Sequence, residues 1–182
     1  MPPNVLPPTL SGSRRDTGIA MAIEWREVLS LQDGLLDADH QELIASINTI
    51  EPLLASEQPS SDLRVAVAQL RQHSAEHFAR EESVMIDLGY AKYALHRKAH
   101  RDLIEKLRLC TQPIMQMDKH RPSATDKLPR EIREGLKVML RYWLVDHILT
   151  LDVQLKPLLA QRPRSHAQWE AFARSARQPG QP

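Results

Sequence analysis

Apolar residues recur at the three- and four-residue spacing of an α-helix in four stretches of this chain. The first carries Leu36, Leu43, Ile44 and Ile47, and the second Leu63, Ala66, Leu70, Val84 and Leu88. The third carries Leu103, Leu107 and Cys110, and the fourth Leu136, Met139, Leu140, Trp143, Leu144 and Leu151. Breakers separate them. Pro52 and the Pro59-containing stretch 57–61 divide the first from the second, and Gly89 is a natural C-terminal stop for the second. Pro113 weakens the end of the third, and residues 119–127 form a polar loop before the fourth. Asp37 and then Ser60 or Ser61 are suited to cap the first two helices, the third starts near Lys92, Pro129 suits the first turn of the fourth, and Pro157 marks its end. Four helices with fairly short connections predict an all-α fold, an antiparallel up-down-up-down four-helix bundle.

The stripes are not wholly apolar. His77 and Glu81, four apart and therefore one above the other, occupy the buried stripe of the second helix. His96 and His100 repeat that spacing in the third, His40 heads the apolar series of the first, and His147 lies within that of the fourth, with Asp152 five residues on. A lone histidine on an apolar face is more often a hydrogen-bonded core residue than a ligand. Seven ionisable groups aimed into one core are another matter, because buried charges are normally paired or bound to metal. Five imidazoles and two carboxylates suit first-row transition metals, and the absence of thiolates argues against a sulfur-rich structural zinc site. Seven ligands exceed what one ion needs, whereas two ions bridged by Glu81 and Asp152 would use them all. Asp152 fits least well, since five residues turn an ideal helix by about 140° against about 40° for four. A π-bulge or a sideways reach is expected to bring it round.

Length, charge and cysteine usage narrow the setting. The 182 residues make one domain, with a bundle expected over 21–160, a proline-rich flexible leader at 1–20 and a basic tail at 161–182. The tail carries Arg162, Arg164, Arg174 and Arg177 and is expected to be disordered, although Trp169 and Phe172 could form a short docking turn. A formal charge of +1 argues against a nucleic-acid binder. One cysteine excludes an internal disulfide and is compatible with a reducing compartment. No apolar run could span a bilayer. Arg14-Arg15 before an apolar run is similar to a twin-arginine signal, but Glu24 and Arg26 end that run too early. The expectation is a cytoplasmic protein without membrane insertion, monomeric or weakly oligomeric, with Ile23-Glu24-Trp25 an extended arm packed on the bundle.

The motifs together resemble the hemerythrin family: Leu36-Asp37-Ala38-Asp39-His40, His77-Phe78-x-x-Glu81-Glu82-x-x-Met85, His96-x-x-x-His100 and Trp143-Leu144-x-x-His147-Ile148-x-x-x-Asp152. The resemblance runs from about Ile23 to about Leu159 and looks more like the bacterial branch. It implies two non-haem iron ions with a bridging oxo or hydroxo group, and reversible binding of dioxygen. By motif, His96, His100 and His147 would hold one iron, His40 and His77 the other, and Glu81 and Asp152 would bridge them. If both irons are six-coordinate, these ligands and the bridging oxygen fill about eleven of roughly twelve positions. The vacancy falls on the iron with two histidines. Competing readings are a di-iron oxidase, peroxidase or nitric-oxide-consuming enzyme, and a sensing module that engages a partner. Ala91 replaces a proline often found in relatives, and His73, one turn before His77, is read as lying outside the ligand set.

Overall fold

A computed structural model describes residues 22–56, 60–116 and 127–161; the leader and nearly all of the basic tail lie outside them. Four long helices, α1 (Gly34–Leu53), α2 (Ser61–Asp87), α3 (Tyr93–Gln116) and α4 (Arg130–Thr150), form an all-α bundle, followed by the short α5 (Lys156–Leu159). Helix α2 packs against α1 and α3, and α4 closes the bundle on the far side. No helix among the described residues is long and apolar enough to cross a membrane.

The helix ends show what each punctuating residue does. Asp33, rather than Asp37, caps α1, accepting from the Leu35 and Leu36 amides at 3.2 Å each. Asp37 points back instead, accepting from the Leu31 amide at 2.6 Å and the Ser30 hydroxyl at 2.7 Å. It therefore ties the incoming arm to the first helical turn. Further up the arm, Ile23 exchanges two hydrogen bonds with the Asn48 side chain, and Trp25 packs partly buried on the core. Ser60 caps α2 through the Leu63 amide. At the other end Gly89 takes φ +62°, so that the Tyr90 amide reaches the Met85 carbonyl and the Gly89 amide that of Ile86. A Cβ at Gly89 would meet no atom within 4 Å. Gly89→Ala should therefore cost only the left-handed backbone penalty, about 1–2 kcal/mol, in urea unfolding.

The prolines act less abruptly than their sequence positions suggest. Pro52 and Pro113 sit inside the last turns of α1 and α3, so each removes one amide donor and the helix ends within a turn of it. Pro129 is the residue before α4, not within its first turn. Pro157 does not end α4, which stops at Thr150; it lies in the first turn of α5. Between them Asp152–Leu155 forms a 3₁₀ turn.

Two apolar clusters result. The larger contains Leu43, Ile44, Ile47, Leu63, Leu70, Leu107, Leu140 and Leu144. The smaller, at the end of the bundle where α5 folds back, contains Leu31, Leu36, Met85, Leu155 and Leu159. Buried polar residues lie between them in chain order: His40 follows Leu36 and precedes Leu43, and His77 and Glu81 fall between Leu70 and Met85. Helix α4 is pinned to α1 by Arg141, which forms a fork on the buried Glu51, and by Arg133, which donates to the Leu54 and Ala55 carbonyls. These anchors hold one wall of the polar layer in register.

Candidate metal centre

All seven ionisable stripe residues are at most 4% exposed and face one another across the bundle. They fall into two groups whose ligand atoms lie within 4.8 Å of one another: Glu81, His96, His100, His147 and Asp152, and then His40, His77 and Asp152. Asp152 belongs to both. Its Oδ1 lies 3.0 Å from His96 Nε2 and from His147 Nε2, and its Oδ2 lies 3.4 Å from His40 Nε2. Glu81 Oε2 approaches His100 Nε2 at 3.0 Å and His96 Nε2 at 3.7 Å. Glu81 thus joins the first group alone.

The position of Asp152 corrects the sequence expectation in detail. Neither a π-bulge nor a sideways reach brings it round. Helix α4 breaks at Leu151 (φ −114°, ψ −58°), and Asp152 opens the tighter 3₁₀ turn. Leaving the α-helical path frees its side chain from the 100° step that would have turned it outward.

Many of these contacts are close without being hydrogen bonds. Ten buried side-chain nitrogen or oxygen atoms among the described residues lack a hydrogen-bond partner, and eight of them belong to these seven residues. They include Nε2 of His40, His77 and His100, both oxygens of Glu81 and Oδ2 of Asp152. Orphaned polar atoms are costly in a core. Their spacing has a simple reading. Two ligands at about 2.1 Å from one ion, at right angles, stand about 3.0 Å apart. Lone pairs that converge on a common point rather than on each other give short contacts with poor hydrogen-bond angles.

The outward-facing ring nitrogens are held separately. His77 Nδ1 faces Asp39 Oδ2 at 3.5 Å, and Asp39 in turn takes a two-pronged grip from Arg80 at 2.7 and 3.0 Å. His100 Nδ1 faces Glu82 Oε1 at 3.1 Å, and Arg97 holds the other oxygen of Glu82 at 3.2 Å. A carboxylate on Nδ1 keeps the proton there and leaves Nε2 with its lone pair directed inward. Phe78 stacks on His100 with ring centres 4.0 Å apart and meets His147 edge-on at 5.5 Å. His73 faces Glu42 at 3.5 Å and joins neither group.

This arrangement of histidine and carboxylate can be set beside known proteins. Residues 33–159 match the family model described as the Hemerythrin HHE cation binding domain. The chain belongs to the hemerythrin family. A bacteriohemerythrin of Stenotrophomonas maltophilia (strain R551-3) is 26% identical over 149 residues, covering 78% of this chain and 87% of that one. A hemerythrin of Themiste dyscrita is 28% identical over 122 residues, with 67% and 80% covered. A myohemerythrin of Sipunculus nudus is 27% identical over 132 residues, with 72% and 89% covered. Matches to bacteriohemerythrins, including one from Pseudomonas paraeruginosa, agree with the bacterial branch of the hemerythrins.

The electrostatics of this hemerythrin site favour a bound cation. Burial pushes the His77 and His100 imidazoles down to about 4, against the opposing pull of Asp39 and Glu82. Both rings are therefore neutral at pH 7, the form that binds metal. Burial, reinforced by the charge of Asp152, raises Glu81 well above the carboxylate range. Burial also works to raise Asp152, but the close approach of the His147, His40 and His96 imidazoles outweighs it and holds this carboxyl well below its usual value. Protein groups alone thus support one of the two negative charges. A cation between them would allow both.

Asp39 and Glu82 both stand in the motifs, which by themselves give neither a role. What the motifs miss is the grip of these acids on the two imidazoles. A signal was present in the spacing: each acid adjoins a stripe residue, and Arg80 follows His77 by three. Phe78 as the ring under His100 carried no comparable signal.

Proposed function

We propose that this chain holds two iron ions and binds dioxygen reversibly. The observation that carries the reading is the set of partnerless lone pairs, all buried and directed into one layer of the bundle. On this reading His96, His100 and His147 would hold one iron, His40 and His77 would hold the other, and Glu81 and Asp152 would serve both. Asp152 faces both groups already, and Glu81 Oε1 has no partner and is free to serve the second ion. Two ferrous ions supply the electrons that dioxygen takes up on binding and returns on release.

The protein's own contribution is a fixed, dry and nitrogen-rich site. Asp39 and Glu82 hold His77 and His100 in the metal-binding tautomer, and Phe78 braces the ring of His100. Leu36 and Leu43, one turn either side of His40, are at most 1% exposed and keep water from that side. With two histidines against three, the His40–His77 side would be the one left with room for dioxygen. Carboxylate-rich ligand sets with an ExxH repeat are the pattern of oxidising di-iron bundles, and this chain has no such repeat among its ligands. The functional unit is residues 21–160, and the single thiol suits a reducing, cytoplasmic setting.

Visible spectra through cycles of anaerobic reduction, oxygenation and degassing test this. The reduced protein should be nearly colourless, gain visible absorption with oxygen, and lose it on degassing. Immediate irreversible oxidation, or repeated turnover of oxygen, would replace the carrier reading with a redox-sensing or enzymatic one.

A further inference from the structure

The seven residues of the centre are at most 4% exposed, so an ion must pass the wall of the bundle to reach them. Most of that wall is apolar: Leu36 and Leu43 flank His40, Phe78 stacks on His100, and Trp143 lies one turn before His147. The outer side of the α1–α2 seam is built otherwise. There His77 Nδ1 meets Asp39 Oδ2, and His73 Nδ1 meets Glu42 Oε1, each at 3.5 Å. His73 precedes His77 by four on α2, and Glu42 follows Asp39 by three on α1. In this antiparallel register the two contacts are successive rungs, roughly one helical turn apart. Exposure falls from one rung to the next. The side chains of Glu42 and His73 are 60% and 30% exposed, and those of Asp39 and His77 are 14% and 1% exposed.

We propose that His73 and Glu42 capture the incoming divalent cation and deliver it to the buried centre from the His77 side. The inference rests on the reading of that centre as a metal site. His73 is the only histidine among the described residues that stands outside the two ligand groups. Its Nδ1 is buried and has no hydrogen-bond partner, near as Glu42 is. Two ligands at about 2.1 Å from one ion, at the tetrahedral angle, stand about 3.4 Å apart. The 3.5 Å contact therefore suits a shared dication. One imidazole and one carboxylate suit a first-row metal. Two ligands hold it far less firmly than the seven inside, as a transfer point requires.

Charge favours this seam as well. Arg80 is held above its ordinary value first by its hydrogen bonds to Asp39 and then by the charges of Asp39, Glu76 and Glu42. Three carboxylates thus act on one guanidinium, and their surplus draws cations toward the seam. Arg80 reaches Asp39 from the turn beyond His77, the opposite direction along α2 from His73. The α2–α3 side offers no comparable step. Glu82 meets His100 there, but Arg97 holds its other oxygen, and the adjoining groove is lined by Phe78, Ile104 and Arg101. Glu105, in the same groove, is gripped by Arg108.

Uptake of ferrous ion by the metal-free, full-length chain tests it, with anaerobic mixing stopped by a chelator before the bound iron is counted. Below saturating iron, His73→Ala and Glu42→Gln should each load at least about tenfold more slowly than the wild type. Both should still reach the wild-type iron content and, without metal, unfold at the wild-type temperature. Glu76→Gln removes a charge from the same seam but no capture ligand, and should slow loading by less than about twofold. Loading of His73→Ala at the wild-type rate would overturn the proposal. Equal slowing by all three changes would overturn it in favour of general attraction. A His73→Ala protein that ends with less iron than the wild type would overturn it too, by making His73 a ligand of the centre. Wild-type protein that takes up no iron would overturn the reading of the centre itself, and this inference with it.

Discussion

Glu81→Ala should remove both ions from the chain, taking iron from two per chain to near zero by elemental analysis. Glu81 is wholly buried, contributes ligand atoms to the three-histidine group and has both oxygens without hydrogen-bond partners. Without it the site offers two dications one carboxylate instead of two, half of its negative charge. The companion variant Glu81→Leu separates loss of metal from loss of fold. In the metal-free protein Glu81 is a buried group without a hydrogen-bond partner, and an apolar side chain of similar size removes a desolvation cost of about 1–3 kcal/mol. The expected pattern has opposite signs. Metal-free Glu81→Leu unfolds at or above the wild-type temperature, yet gains nothing when iron is added. The wild type gains about 4 kcal/mol per ion where free metal exceeds its dissociation constant a thousandfold. A Glu81→Ala protein that keeps one tightly bound ion would exclude the bridging role, and one that keeps two would exclude Glu81 as a ligand.

Metal-free protein should be most stable near pH 6.5 and weaken on both sides, whereas the metal-loaded protein should lose the alkaline decline and weaken more steeply in acid, because protons there compete with the ions for the ligands. His77 and His100 are depressed to about 4 in the fold from the ordinary imidazole value of 6.5. Between those values the unfolded chain binds two protons that the folded chain refuses, so stability falls as the solution is acidified. Each ring accounts for on the order of 3 kcal/mol by pH 4. Glu81 works in the opposite direction. Its carboxyl is raised, so above pH 4.5 the folded chain keeps a proton that the unfolded chain has released, and stability falls as pH rises. From 4.5 to 6.5 the two imidazoles outweigh the one carboxyl, and above 6.5 only the carboxyl acts. A bound cation ionises Glu81 and removes that alkaline limb. Urea unfolding of chelator-treated and iron-loaded protein from pH 5 to 8.5 measures both curves. A metal-free curve that rises steadily through pH 8 would show that Glu81 is ionised without metal.

Local pattern alone was sufficient for the helices and for six of the seven inward-facing residues, Asp152 resting on the motif. A helix has a fixed 100° step, so Leu36, His40, Leu43 and Ile47 must share a face wherever the helix is placed. Burial of that face follows from its apolar members, which carry the histidines inward with them. The same logic places His77 with Glu81 and His96 with His100. It failed where the backbone left the helix. Asp152 lies beyond the break at Leu151, and no periodicity extends through a change from α-helix to 3₁₀ turn. The start of α1 failed for a related reason: Asp33 and Asp37 are both capable caps, and the choice depended on Asp37 being taken by the Leu31 amide and the Ser30 hydroxyl of the arm.

Tertiary structure alone decided how the seven residues divide and what holds them. The 3.0 Å approaches of Asp152 to His96 on α3 and to His147 on α4 join residues 56 and 5 positions away in the chain. The grip of Asp39 on His77 and the stacking of Phe78 on His100 likewise depend on how helices are set against one another. Such contacts depend on the register and rotation of one helix relative to its neighbour, which core packing and the Arg141–Glu51 and Arg133 anchors fix. Spacing along one helix carries no information about that rotation. The sequence by itself therefore determined which groups enter the core, and the packing of the bundle determined which of them meet.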